Sequence, residues 1–182
     1  MKKCRQCGAL LIHPFLDLGA APPSNAYLQK EDLSRPELYF PLKIKVCDQC
    51  WLVQTEDYAE ANALFTADYA YFSSTSCSWL AHAEAYAKKM IAEIGLSKSS
   101  YVIEVASNDG YLLKNFVRAN IPCLGIEPTA STAHVSENLG IPVMREFFGE
   151  ALGNRLSAAG QQADLIIGNN VFQELIAFIK TY

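Results

Sequence analysis

Tyr101-Val-Ile-Glu-Val-Ala-Ser-Asn-Asp-Gly-Tyr-Leu-Leu113 decides the fold. Tyr101, Val102, Ile103 and Val105 are aromatic or β-branched with no turn residue among them, which predicts a buried strand. Ser107-Asn-Asp-Gly110 is a tight polar turn. Gly110 tolerates positive φ there and lets the backbone approach a bound group. From Tyr111 on, Leu112, Leu113, Phe116 and Val117 recur at helical spacing. In open α/β sheets, a strand–turn–helix of this kind binds nucleotides at the carboxyl end of the strand.

The turn's chemistry selects the ligand. A dinucleotide fold would place G-x-G-x-x-G here. This loop instead has Ala106 and Gly110, with Glu104 before it and Asp109 within it. Those carboxylates repel a pyrophosphate but accept a cationic, phosphate-free ligand such as S-adenosylmethionine. Cys123-Leu-Gly-Ile-Glu-Pro128 reads as a second strand ending in Glu127. An acidic side chain at that point can accept hydrogen bonds from both ribose hydroxyls.

Downstream the chain keeps alternating. Helices are expected over 111–119 and 129–139. A short third strand is expected at 141–146, then a helix ending near Ala159. The fourth strand is Asp164-Leu-Ile-Ile-Gly168, with Asn169-Asn170 at its carboxyl end. Repeated β-α units call for a parallel sheet. Asn169 then shares a rim with Asp109 and Glu127.

Upstream, Trp79, Leu80, Ala83, Tyr86, Ala87, Met90, Ile91 and Ile94 form one apolar helical stripe. Ser76 or Ser78 would cap its start and Gly95 its end. His82 and Glu84 fall on the solvated face. Asp68-Tyr-Ala-Tyr-Phe-Ser-Ser-Thr-Ser76 reads equally as a packed linker or as a lid that places phenols and hydroxyls over a polar substrate.

Cys4-Arg-Gln-Cys7-Gly8 opens the chain, and Cys47-Asp-Gln-Cys50 answers it. Two C-x-x-C pairs predict a tetrahedral Cys₄ zinc site of structural type, because four thiolates leave no open position. His13 lies nearby in sequence as a spare surface or packing residue. Leu16–Asn25 is rich in turn residues and is expected to be a loop. Residues 39–46 alternate like a strand, and 51–54 should return from the second knuckle. Such a small domain has little core, so zinc would supply much of its folding energy.

Composition bounds the rest. Of 182 residues, 51% are hydrophobic and 19% charged, with net charge −4, which is ordinary for a globular chain. The acidic balance leaves no footprint for nucleic acid. No apolar run is long enough for a membrane span, and no signal-peptide core follows the basic start. A cytoplasmic location is expected, which favours thiolate ligands over disulfides. The expected layout is a zinc-binding domain over 1–62, an aromatic segment and linking helix over 63–96, and a partial cofactor domain over 97–182.

Together these stretches resemble the sugar C-methyltransferases, which act on nucleotide-linked 4-keto deoxysugars. The resemblance rests on the Cys4/Cys7 and Cys47/Cys50 pairs, the Tyr-Phe-Ser-Ser segment with Ser-Trp-Leu-Ala-His after it, the Glu-Val-Ala-Ser-Asn-Asp-Gly-Tyr-Leu-Leu loop, Gly-Ile-Glu-Pro and Asn169-Asn170-Val171. It runs to about Val171. It implies a Rossmann-like class I methyltransferase domain behind the Cys₄ zinc domain. It implies adenosylmethionine held by Glu104, Ala106, Ser107, Asn108, Asp109, Gly110, Glu127, Pro128 and Asn169. It implies that Tyr71, Ser73 and Ser74 border a nucleotide-sugar, with thymidine diphosphate as the expected handle. In such chemistry a base removes the proton beside the ketone, and the enolate carbon attacks the methyl group.

The family is longer, with a further C-terminal domain of similar size that supplies the base. Its Asn-Asn-Val-Leu-Ala-His is replaced here by Asn169-Asn-Val-Phe-Gln-Glu174, and residues 172–182 do not resemble it. The expectation is a chain truncated after about strand four, through a frameshift or early stop. It would be inactive alone unless Tyr71 or Glu174 serves. The exposed edge of strand four would favour self-association unless 175–179 covers it. Two alternatives stand beside this reading: a methyltransferase for another small acceptor, and a non-catalytic zinc-ribbon interaction module.

Overall fold

A computed structural model describes residues 2–56, 58 and 64–171. Glu174 and the apolar stretch 175–179 lie outside the described residues. Two compact units divide the chain, one ending at Phe65 and the other starting at Thr66.

The first unit holds an antiparallel sheet in the order β1 (His13–Ala21), β2 (Phe40–Val46) and β3 (Val53–Thr55). The expected loop from Leu16 is therefore strand as far as Ala21. Two register shifts, between Pro14 and Leu16 and between Asp17 and Ala20, explain the difference. Bulges absorb Pro14 and the left-handed Gly19, residues that a regular strand would reject. The return strand starts at Val53 rather than Trp51, because Trp51 sits at φ 63° and still belongs to the turn. Among the described residues the buried apolar cluster of this unit is Leu11 with Cys4 and Cys47.

The second unit is α/β. Its strands β4 (Val102–Val105), β5 (Cys123–Ile126), β6 (Val143–Met144) and β7 (Leu165–Gly168) form a parallel sheet in the order β6-β5-β4-β7. The strand order reverses beside β4, so the crevice at the carboxyl ends of β4 and β7 is a topological switch point. Side chains alternate across the sheet. Val102, Cys123 and Leu165 pair in register and face α1 (Cys77–Ile94) and α2 (Leu113–Arg118), packing with Ala83, Ala87, Leu113 and Phe116. Ile103 and Leu124 face the other way, toward Leu152 and Leu156 of α4 (Glu150–Ala158). Helix α3 (Ala130–Asn138) follows β5.

The caps of α1 fall where the sequence places them. Ser76 Oγ accepts the Trp79 N–H, and Gly95 adopts the left-handed conformation while donating to the Ile91 carbonyl. His82 is exposed and stacks on Trp79, and Glu84 pairs with Lys88. Among the described residues no helix is long and apolar enough to cross a membrane.

Candidate functional site: a four-cysteine centre and the rim of a parallel sheet

Each cysteine pair forms the same turn. Gly8 N donates to the Cys4 carbonyl (2.9 Å), and Trp51 N donates to the Cys47 carbonyl (3.0 Å). Both donors sit at positive φ, 75° for Gly8 and 63° for Trp51. Glycine adopts that conformation freely, whereas tryptophan does so at a cost. The closed turns bring Cys4 Sγ within 3.6 Å of Cys50 Sγ, and Cys7 Sγ within 3.5 Å of Cys47 Sγ. All four sulfurs lie within 4.8 Å of one another. Zinc with bonds of about 2.3 Å to a tetrahedron of sulfurs spaces them roughly 3.8 Å apart, so the donor set fits that ion.

Burial acts against a thiolate at Cys4. The Cys7 backbone, the Gln54 amide and the Gln6 backbone outweigh it and bring the thiol down to about 6. His13 is not one of the ligand set and instead reaches Asp48 at 3.4 Å. Cys77 is exposed, and Cys123 is a buried thiol pushed up to about 11 by burial and by Glu104.

The rim of the second unit follows from strand register. Val105 pairs with Ile126 on one side and with Gly168 on the other. Ala106, Glu127 and Asn169 are therefore each the first residue beyond three adjacent strands. Between Ala106 and Gly110 the backbone changes hand repeatedly, with φ of 53° at Ala106, 51° at Asn108 and 77° at Gly110. A methyl at Gly110 would meet Ile141 Cδ1 at 2.5 Å and Ser136 Oγ at 2.7 Å, so the loop lies pressed against α3.

Glu127 ties this loop to the next. Its Oε2 accepts the Asn108 N–H (2.9 Å), and its Oε1 accepts the N–H (2.9 Å) and hydroxyl (2.5 Å) of Thr129. A carboxylate offers about four acceptor sites, so a ligand diol would compete with the Thr129 hydroxyl for one of them. Pro128 is half-buried between the two.

Glu104 is fully buried, and among the described residues no donor meets either carboxylate oxygen in full hydrogen-bond geometry. Burial pushes its carboxyl well above the usual range. The nearby Tyr111 hydroxyl offsets part of this, and the Asp109 and Glu127 charges add to it. Ser107 Oγ and Asp109 Oδ1 are also buried without partners among the described residues. Unpaired carboxylate oxygens and no basic group among these residues suit a cationic or hydroxyl-bearing ligand, not a phosphate.

The aromatic segment lies on this rim. Asn108 clamps it from both sides, accepting the Ser73 N–H (2.9 Å) and donating to the Tyr71 carbonyl (3.0 Å). Asp109 Oδ2 accepts the Ser74 N–H (3.0 Å), and Ser131 Oγ donates to the Tyr69 carbonyl (2.9 Å). The Tyr71 side chain is left half-exposed, while Ser73 and Ser74 are half-buried.

Comparison with known proteins identifies the first unit. Residues 4–65 match a methyltransferase-associated family model described as "Putative zinc binding domain". This segment, about a third of the chain, is similar to that zinc-binding domain. The zinc-binding domain spans both knuckles and all four cysteines of the cluster. Across both units, the chain is 28% identical over 173 residues to the C-methyltransferase NovU of Streptomyces niveus, an alignment covering 95% of this chain and 41% of that protein. The chain thus spans under half the length of the relative it matches. The resemblance to C-methyltransferases extends through both units, behind the zinc-binding domain as well as within it.

Four residues escape the sequence reading. Gln54 bonds a zinc-centre sulfur, Trp51 takes the left-handed turn position, Thr129 occupies Glu127, and Tyr111 anchors Asn169. Only Trp51 carried a usable signal, since it stands four residues after Cys47 as Gly8 stands four after Cys4.

Proposed function

We propose that this chain carries the cofactor-binding part of an S-adenosylmethionine-dependent C-methyltransferase whose acceptor is a nucleotide-linked 4-keto deoxysugar. One observation carries the reading. Ala106, Glu127 and Asn169 leave three in-register parallel strands at the same level, at a switch point lined with acid.

The residues divide the work. Glu127 accepts hydrogen bonds from the ribose, with Thr129 yielding to it. The Ser107–Gly110 loop lets the ligand close on the backbone. Asp109 and Glu127 supply negative potential and turn away phosphates. The cofactor supplies a methyl group on a cationic sulfur. Tyr71, Ser73 and Ser74 border the sugar. The zinc ion braces the first unit. The similarity to NovU supports the C-methyltransferase class, and the keto-sugar acceptor follows from the sequence resemblance.

Isothermal titration of the zinc-loaded chain with S-adenosylmethionine tests this. Saturable binding at one site per chain is the expected result. Zinc-loaded protein that gives no heat with either S-adenosylmethionine or S-adenosylhomocysteine would overturn it and favour a zinc-ribbon interaction module. Methyl transfer to a thymidine-diphosphate 4-keto deoxysugar, but not to other small acceptors, separates the two enzyme readings.

A further inference from the structure

We propose that Gln54 is an outer-shell donor of the zinc centre, holding and shielding the Cys4 sulfur so that zinc loss and electrophilic attack begin at Cys7 and Cys50.

The argument starts from β3, where Gln54 is the one buried residue, at 6% exposure, between exposed Val53 and Thr55. A buried amide needs partners at both ends. Its Oε1 accepts the Arg5 backbone N–H at 3.1 Å. A backbone N–H can only donate, which fixes the orientation of the amide and leaves Nε2 facing the other way. There it meets Cys4 Sγ at 3.2 Å. The contact is thus N–H to sulfur, directed at a ligand atom of the centre.

Gln54 also acts at a distance. Arg5 lies inside the first knuckle, while Gln54 stands on the strand that leaves the second and pairs with Lys45 of β2. One side chain therefore bolts the first knuckle, by backbone and by ligand, to the sheet that carries the second. Metal-site partners of this kind typically contribute roughly 10- to 100-fold in metal affinity. Exposure is uneven in the same sense. Cys4 and Cys47 are buried, Cys50 is half-buried and Cys7 is exposed.

The test uses the full chain loaded with zinc. Gln54→Met keeps the volume and removes the amide. Gln54→Glu keeps the acceptor for Arg5 but sets a carboxylate against the Cys4 sulfur. Zinc transfer to a chromogenic chelator is expected to be roughly 10- to 100-fold more favourable in both variants, and more so in the glutamate variant. Wild-type transfer behaviour in Gln54→Met would overturn the proposal, since packing alone would then explain the residue. A second measurement needs no variant. Limited alkylation of the wild-type zinc form, mapped by mass spectrometry with exposed Cys77 as internal reference, should label Cys7 and Cys50 well before Cys4. Equal labelling of Cys4 and Cys7 would overturn the proposal. A wild-type chain that takes up no zinc overturns the centre and this inference together.

Discussion

Asn169 at the end of β7 donates its Nδ2–H to the Tyr111 hydroxyl at 2.8 Å, joining residues 58 apart in sequence. Tyr111 is buried, its ring lies 5.9 Å from that of Trp79, and its hydroxyl lies beside Glu104. The rim amide is thus latched from below. Tyr111→Phe keeps the ring packing and releases the latch. A hydrogen bond of about 1 kcal/mol corresponds to roughly a fivefold rise in the Kd for S-adenosylmethionine. Calorimetry should show that rise with the near-ultraviolet circular dichroism unchanged.

Zinc removal should unfold the first unit selectively. Among its described residues the buried cluster is Leu11 and two of the ligands, too little to offset the chain entropy of some fifty ordered residues. Treatment with a strong chelator is expected to collapse amide protection over 2–56 while the protected core of β4 and β5 persists, as hydrogen exchange would report.

Trp51→Gly should stabilise the zinc-bound form. Tryptophan at φ 63° carries a left-handed penalty of about 1 kcal/mol that glycine avoids, and its exposed ring gives up little burial. The midpoint of denaturant unfolding of the first unit should rise by a corresponding amount, and a fall would show that the indole packs where the structure leaves it open.

Glu104 makes stability depend on pH with a defined sign. Its folded-state carboxyl is raised above the ordinary 4.5 by burial, so the folded chain holds a proton that the unfolded chain releases. Its contribution is full below the unfolded value and is lost as pH rises toward the folded one. The second unit should therefore weaken across that window, and Glu104→Gln should flatten the slope. Parallel slopes in thermal melts of the two proteins would contradict this assignment.

Strand β7 pairs with β4 on one side, and among the described residues it pairs with no strand on the other. Ile166 faces the α4 side of the sheet yet is 60% exposed. Such an edge recruits further strands. Concentration-dependent association in analytical ultracentrifugation is the expected behaviour, and Ile166→Lys should reduce it.

Much of this was legible because local chemistry dictated it. The cysteine pairs, the β-branched run 102–105, the Ser76 cap and the Gly95 stop each announce a local conformation. The departures share a cause as well. Strand β1 was hidden because bulges admit proline and glycine, and a bulge depends on the partner strand. The bonds of Gln54 to Cys4, Tyr111 to Asn169 and Thr129 to Glu127 were hidden because tertiary placement decides which polar group meets which. Glu104 was read as part of an acidic loop, but its burial beneath α1 comes from strand parity and helix packing. The placement of 68–76 on the rim was hidden too, because its bonds to Asn108, Asp109 and Ser131 carry no local signature.

The clamped segment has a consequence for synthesis on the ribosome. Tyr69 is made 62 residues before Ser131, the side chain that fastens it. At translation rates of about 5–20 residues per second, that interval is roughly 3 to 12 s. Through those seconds Tyr69 has emerged but its fastening has not, while Tyr71 waits 37 residues for Asn108. The part of the rim that is made first thus waits for later parts of the chain to hold it.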